Sequence, residues 1–241
     1  MKVLGIDSAT SVASVALVED GQALWEERSP QETGQSGASR PHHAEILISL
    51  LESVLQKTAI CFDDVSGIAV SIGPGSFTGL RIGLSMVKGL AYESRIPVVG
   101  VSTLLASAFR VTDWEGLVCP ILDARKKEVY AALFRRSEEH FERVIEDSAI
   151  SPESWLAAMA GGAGNGDRIL FLGDGVMRFG ELIRRAFGDR VLLSRGERYP
   201  SLAVGVAALG EKRLRHSGGD HIGCLEPVYL RPSETELRSH N

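Results

Sequence analysis

Short apolar runs, each ended by polar or glycine residues, recur along the chain and predict buried strands. The first runs predict strands at 3–6, 14–18 and 23–28, with a hairpin turn at 19–22. Helical spacing of the apolar positions predicts amphipathic helices at 42–57 and 80–94. The N-terminal half is therefore expected to be a strand hairpin followed by alternating helices and strands.

A glycine-rich stretch joins an apolar run at 68–72 to the helix at 80–94. It reads GPGSFTGLRIGL and covers 73–84. Such a strand-to-helix turn can direct backbone N–H groups and the positive end of a helix at a bound anion. Its spacing matches neither the P-loop nor the dinucleotide-binding fingerprint. Two interpretations stay open: a phosphate-binding turn, and a tight turn beneath a closely packed helix.

The second half repeats the opening pattern. Further strands are expected at 97–101, 118–122, 129–134, 169–172 and 191–193. A helix capped by Ser102 or Thr103 should run through 109, and other helices are expected from 151, at 176–187 and at 201–216. Asp7 and Asp123 each follow a strand at a hairpin. This repetition predicts an α/β protein of two lobes, 1–112 and 113–241.

Composition narrows the function classes. Hydrophobic residues make up 44% and charged residues 24%, as in ordinary globular proteins. A net charge of −5 argues against a large nucleic-acid-binding surface, so another subunit is expected to supply most of any such surface. The three scattered cysteines form no Cys-x-x-Cys pair, and no signal peptide or bilayer-spanning run is found. These features predict a cytoplasmic protein that does not contact membranes.

Two polar turns are candidates for nucleotide contact. The first hairpin resembles the start of actin-like phosphotransferase domains, where a carboxylate and hydroxyls face a metal-bound phosphate. The alternative is that Asp7 only fixes its own turn. The Gly173-Asp174-Gly175 turn resembles the adenosine side of such a site. The candidate nucleotide-binding residues are Asp7, Ser8, Thr10, Asp123, Gly173, Asp174 and Gly175.

Five segments together resemble the bacterial TsaB (YeaZ) family in order and spacing over nearly the whole chain. One departure is Asp7-Ser8-Ala9-Thr10, where Asp-Thr-Ser is usual; the hydroxyls are retained. The segments are VLGIDSATSVASVAL at 3–17, GPGSFTGLRIGL at 73–84, GVST at 100–103, DARKKEVYAALF at 123–134 and PVYLR at 227–231.

This resemblance implies an actin-like fold of the actin, Hsp70 and sugar-kinase type. It implies a role in making N6-threonylcarbamoyladenosine at position 37 of tRNAs that read codons starting with A. The expected partners are the paralogous catalytic subunit TsaD, in a heterodimer, and the ATPase TsaE, with tRNA reached through the complex. Homodimerisation, and ATP or ADP bound weakly or at a shared interface, are left open.

The resemblance also implies that the first two helices dock TsaD or self-associate. An interface of ordinary size needs about 800 Å² from each side. The candidate contact residues are Leu47, Leu51, Val54, Gly75, Phe77, Arg81, Met86 and Leu90.

Catalytic paralogues carry an Asn-His-x-x-x-His run whose histidines bind the catalytic metal. The corresponding positions here are Thr103 and Ser107, whose hydroxyls are poor ligands for a transition metal. The turn at 123–128, which contains Arg125, Lys126 and Lys127, also lacks the glycines of a phosphate loop. We therefore expect a non-catalytic subunit without a metal site. The alternatives are an actin-like ATPase or phosphotransferase that uses Asp7 and Asp123, and a metallopeptidase.

Overall fold

The computed structural model describes residues 1–30, 43–137, 141–162 and 166–231. These residues contain two five-stranded mixed sheets with helices packed on them. The strands are β1 (Lys2–Asp7), β2 (Ser14–Glu19), β3 (Gln22–Arg28), β4 (Gly67–Gly73), β5 (Val98–Ser102), β6 (Gly116–Asp123), β7 (Val129–Arg136), β8 (Phe141–Ile150), β9 (Ile169–Leu172) and β10 (Val191–Ser194). The helices are α1 (His43–Thr58), α2 (Phe77–Ser94), α3 (Thr103–Phe109), α4 (Pro152–Gly162), α5 (Gly175–Phe187) and α6 (Leu202–Ser217).

The two sheets have the same topology. The first has the order β3-β2-β1-β4-β5 and the second the order β8-β7-β6-β9-β10. In each, the first three strands along the chain pair antiparallel in sequence order, the fourth pairs parallel with the first, and the fifth pairs parallel with the fourth. The sequence predicted a repeat that consists of a strand, an aspartate and a returning strand. In the structure this repeat extends to the whole five-stranded sheet.

The chain divides into two compact units. One contains Met1–Ala106 with Pro200–Val228, and the other contains Ser107–Tyr199 with the segment that begins at Tyr229. Helix α6 returns to the first unit because its apolar side packs on β1, β2 and β4. The lobe boundary at 112/113 stays a prediction.

The elements expected from apolar patterning are present, and two differences are informative. Helix α2 begins at Phe77, three residues before the predicted start, because Ser76 caps it: its Oγ accepts a hydrogen bond from the N–H of Gly79. Strand β8 was not predicted, since register shifts in its pairing with β7 and charged residues along it break a simple alternation. The predicted first residue of α1, 42, lies outside the described residues.

Each unit has its own apolar core. In the first unit, α1 covers β2 and β3 while α2 packs on β4, and in the second, α5 packs on β6 and β10. Trp155 of α4 is among the largest buried side chains of the second core. Among the described residues, no helix combines the length and apolar character needed to cross a bilayer.

Candidate nucleotide and partner sites

Asp7 lies at the end of β1 with no exposed surface. Its Oδ1 accepts hydrogen bonds from Ser71 Oγ at 2.6 Å and from the N–H of Ala9 at 3.1 Å. Its Oδ2 accepts one from Thr10 Oγ1 at 2.9 Å. Both carboxylate oxygens are therefore bonded within the protein, and they fix the turn after β1 to the neighbouring strand β4. A role for Asp7 and Thr10 in binding nucleotide stays a prediction.

The glycine-rich stretch packs directly against that same turn. The N–H of Ser76 donates to the carbonyl oxygen of Ala9 at 2.7 Å, and Ser8 Oγ donates to the carbonyl oxygen of Gly79 at 2.8 Å. A Cβ on Gly75 would clash with the Ala9 carbonyl oxygen, and one on Gly79 with that of Ser8. The backbone of the turn thus occupies the space beside these two glycines, which supports the tight-turn interpretation.

The second candidate turn joins β9 to α5. Asp174 Oδ1 accepts a hydrogen bond from the N–H of Asp123 at 2.9 Å, and Arg178 Nη1 donates to both carboxylate oxygens of Asp123 at 3.2 and 3.0 Å. A Cβ on Gly175 would lie 2.9 Å from the carbonyl oxygen of Ile121, and Gly173 has a φ of +121°. Glycine is therefore required where this turn crosses the end of β6.

The pKa of the Asp174 carboxyl group is raised in the folded protein. Loss of hydration raises its pKa above the ordinary value, and repulsion from the nearby Asp123 carboxylate raises it further. The N–H of Asp123 acts in the opposite direction because it stabilises the carboxylate. The structure thus brings Asp123, Asp174 and the two glycines together; their contact with nucleotide stays a prediction.

The turn between β6 and β7 presents side chains where a phosphate loop would present glycines. Arg125, Lys126 and Lys127 are exposed, and their φ values are 61°, 50° and 64°. Two backbone hydrogen bonds close the turn, from Ala124 N to Glu128 O at 3.1 Å and from Glu128 N to Arg125 O at 2.9 Å. The three cationic side chains therefore project from a defined backbone.

The expected partner surface requires correction at three residues. Leu47, Leu51 and Val54 lie in the core of the first unit, since the face of α1 that carries them packs towards β2 and β3. Their side chains are not available to a partner. Met86 and Leu90 of α2 are only partly buried, although they also contact this core.

The exposed sides of the same two helices carry other residues. Ile48 of α1 is 49% exposed and Tyr92 of α2 is 83% exposed. Gly89 of α2 faces open space, because a Cβ there would meet nothing within 4 Å. Sequence reasoning missed Ile48 and Tyr92. The signal was their spacing: Ile48 lies one residue after Leu47, and Tyr92 lies five residues after Val87, so each is offset from that residue of the apolar stripe.

The remaining expected contact residues lie at or near the start of α2. Gly75 and Phe77 are partly buried, and Arg81 is exposed with its guanidinium 3.9 Å from the centre of the Phe77 ring. This is the geometry of a cation–π contact. Contact of these residues with a partner stays a prediction.

Thr103 and Ser107 lie four residues apart on α3, so they share one face of the helix. Both are buried, and the Thr103 hydroxyl has no hydrogen-bond partner within the described residues. Ser102 caps α3, since its Oγ accepts a hydrogen bond from the N–H of Leu105 at 3.2 Å. Over the described ranges, no group of three or more His, Cys, Asp and Glu side chains is placed to hold a metal ion.

Comparison with a family model gives a match over most of the chain. The model is described as TsaD, tRNA N6-adenosine threonylcarbamoyltransferase, and it matches residues 36–235. The matched range includes the glycine-rich stretch, both turns of the second unit and α3.

Individual relatives match almost from end to end. The chain is 28% identical to the tRNA threonylcarbamoyladenosine biosynthesis protein TsaB of Bacillus subtilis, over 99% of this chain and 97% of that protein. It superposes on YeaZ from Pseudomonas aeruginosa with a TM-score of 0.73 and 25% identity, covering 95% of this chain and 99% of the other. A ROK hexokinase from Thermus thermophilus shares the fold alone, with a TM-score of 0.51, 11% identity and coverage of 89% and 100%. The expected actin-like fold is confirmed.

Proposed function

The chain belongs to the tRNA N6-adenosine threonylcarbamoyltransferase (TsaD) family and, within it, to the TsaB (YeaZ) branch, and we propose that it is a TsaB-type subunit in the synthesis of N6-threonylcarbamoyladenosine in tRNA. The observation that carries this proposal is the match to TsaB proteins over nearly the full length of both chains. A shared fold alone would not carry it, because the actin-like fold also serves sugar kinases.

Within this role the chain acts through contact rather than catalysis. Thr103 and Ser107 offer hydroxyls where the resemblance expects metal-binding histidines, and hydroxyls bind transition metals weakly. The carboxylate of Asp7 is bonded to Ser71 and Thr10, which favours a structural role. These features also argue against the two alternatives, an actin-like phosphotransferase and a metallopeptidase.

The partner of this contact is the catalytic subunit TsaD, which docks on the exposed sides of α1 and α2. Tyr92 and Ile48 supply apolar area there, and a large exposed aromatic side chain is the type of residue that anchors protein interfaces. Gly89 permits close approach because it adds no side chain to this face of α2. Self-association of the free chain would use the same face, and TsaE completes the complex in the cytoplasm.

Reconstitution tests the proposal. Purified TsaD and TsaE, tRNA and threonylcarbamoyl-AMP are incubated with and without this chain, and modified adenosine is measured in digested tRNA. We expect modification only when the chain is present, and none from the chain alone. Full modification without the chain would contradict the proposed function, and modification by the chain alone would contradict its non-catalytic role.

A further inference from the structure

The β6–β7 turn holds three cationic side chains in a backbone conformation that non-glycine residues rarely adopt. Arg125, Lys126 and Lys127 all have positive φ, which crowds Cβ against the backbone. Besides its two backbone bonds, the turn is held by the N–H of Arg125, which donates to Asp123 Oδ1 at 2.8 Å. At its other end Arg231 Nη1 donates to Glu128 Oε2 at 2.7 Å. The cationic tip is therefore fixed at both ends.

Helix α5 extends this positive surface. Arg178, in its first turns, contacts Asp123 and so places the start of the helix beside the β6–β7 turn. Arg185 follows seven residues later on the same face, about 10 Å along the helix axis. Arg184 and Arg185 are both exposed, and neither forms an ion pair with any described residue. We call Arg125, Lys126, Lys127, Arg178, Arg184 and Arg185 the basic ridge.

The acidic groups near the ridge only partly neutralise it. Asp123 is bonded to Arg178, and Glu128 to Arg231, an arginine outside the ridge. Asp174, Glu181 and Asp189 are the other carboxyl groups on or beside α5. The six cations of the ridge therefore leave a local positive charge on a chain whose net charge is −5.

We propose that the basic ridge binds the phosphate backbone of the tRNA substrate, an inference that rests on the proposed function. Guanidinium groups bind phosphate through two parallel hydrogen bonds, and ammonium groups bind it as point charges. Two of the six ridge residues, Lys126 and Lys127, are lysines, and the centres of protein interfaces are depleted in lysine. A nucleic-acid backbone therefore fits it better than an acidic protein surface. The contact is local, and other subunits supply most of the positive charge.

Two ridge variants and one control test the contact. Arg125→Gln/Lys127→Gln removes charge from the turn, and Arg184→Gln/Arg185→Gln removes it from α5. The control, Lys2→Gln/Arg135→Gln, also removes two charges, each from a single surface ion pair. Arg135 pairs with Leu117, at the end of the β6–β7 hairpin opposite the turn. Affinity for tRNA is measured on the complex with TsaD and TsaE over a range of salt concentrations.

We expect each ridge variant to weaken tRNA binding about three- to tenfold at low salt. The slope of log affinity against log salt should fall by roughly 0.7 to 0.9 for each phosphate that the variant no longer neutralises. The control should retain the affinity and slope of the wild type. Ridge variants that match the control in both quantities would overturn the proposal. Weakened assembly with TsaD, at unchanged tRNA affinity of the assembled complex, would overturn it in favour of a protein partner.

The same preparations keep the two proposals apart. Dependence of modification on the wild-type chain tests the proposed function, whereas the ratio of variant to wild-type tRNA affinity tests the ridge. Thermal melting of each variant shows whether it folds, and the charge reversal Arg125→Glu/Lys127→Glu should weaken binding further than the neutral variant. A reversal that leaves affinity unchanged in a folded protein would overturn the inference.

Discussion

The carboxylate of Asp7 accepts a hydrogen bond of 2.6 Å from the hydroxyl of Ser71, and both residues are fully buried. This bond joins the end of β1 to β4, sixty-four residues along the chain. The resemblance to actin-like phosphotransferases implies a carboxylate at this position that faces a metal-bound phosphate. Here it organises the turn on which the glycine-rich stretch packs.

Replacement of Asp7 should therefore affect stability first. We expect Asp7→Ala to lower the free energy of unfolding by about 2–4 kcal/mol, because it leaves the buried Ser71 hydroxyl and the Ala9 N–H without their acceptor. Urea unfolding followed by circular dichroism measures this, with the exposed Asp189→Ala as the control, expected within about 0.5 kcal/mol of wild type. If Asp7→Ala folds with unchanged stability but loses tight Mg-ATP binding by calorimetry, the structural role of Asp7 is wrong.

Two glycines of α2 offer a matched test of close packing. Gly79→Ala should destabilise the protein by about 1–3 kcal/mol, because its Cβ would clash with the carbonyl oxygen of Ser8. Gly89→Ala should stabilise it by up to about 1 kcal/mol, because alanine favours the helix and Gly89 has open space around it. Urea unfolding of the isolated chain compares the two. Equal effects would show that helix propensity, rather than the contact with Ser8, decides the role of Gly79.

Substitutions on the exposed and on the buried faces of α1 and α2 should have different effects, the first on partner binding and the second on folding stability. Tyr92→Ala is expected to weaken TsaD binding by about 2 kcal/mol, the loss typical of an interface anchor, at nearly unchanged stability. Leu47→Ala, on the buried face of α1, is expected to cost about 2–5 kcal/mol of stability. Calorimetric titration with TsaD and thermal melting measure the two quantities. Unchanged TsaD affinity for Tyr92→Ala would remove Tyr92 from the proposed interface.

The left-handed conformation of Lys127 predicts that glycine is tolerated better than alanine at this position. Lys127→Gly should be more stable than Lys127→Ala by about 1 kcal/mol, because both variants lose the charge and only alanine keeps the Cβ that a positive φ disfavours. Urea unfolding of the two variants under identical conditions provides the comparison. Greater stability of the alanine variant would be inconsistent with a left-handed Lys127.

The raised pKa of Asp174 predicts a pH-dependent effect. A carboxyl group whose pKa is higher in the folded protein than in the unfolded chain binds protons more strongly in the folded state. Its contribution to stability therefore decreases as the pH rises from the unfolded value, 3.8, through the raised value. We expect Asp174→Asn to be more stable than wild type at pH 7 and to lose that advantage below about pH 3.8. Urea unfolding at both pH values checks this, and a variant less stable than wild type at pH 7 would contradict it.

Local patterning was sufficient for most of the elements and for the family. The apolar runs at 3–6 and 14–18 and the glycine spacing in 73–84 are local features of the sequence, and the order of the motifs indicated the TsaB family. Strand β8 was not predicted, because its pairing register with β7 shifts at Ala131–Leu133 and at Leu133–Phe134. Such shifts depend on the partner strand and leave no regular pattern in the sequence of β8 itself.

Tertiary structure alone decided which of these residues are available to a ligand or a partner. The sequence identified the apolar stripe of α1, but only the packing of α1 on β2 and β3 buried Leu47 and left Ile48 exposed. Likewise, the sequence marked Gly79 as a turn glycine, while its neighbour Ser8 comes from 71 residues away. The physical reason is that periodicity records what each segment can bury, whereas burial itself depends on which distant segment packs against it.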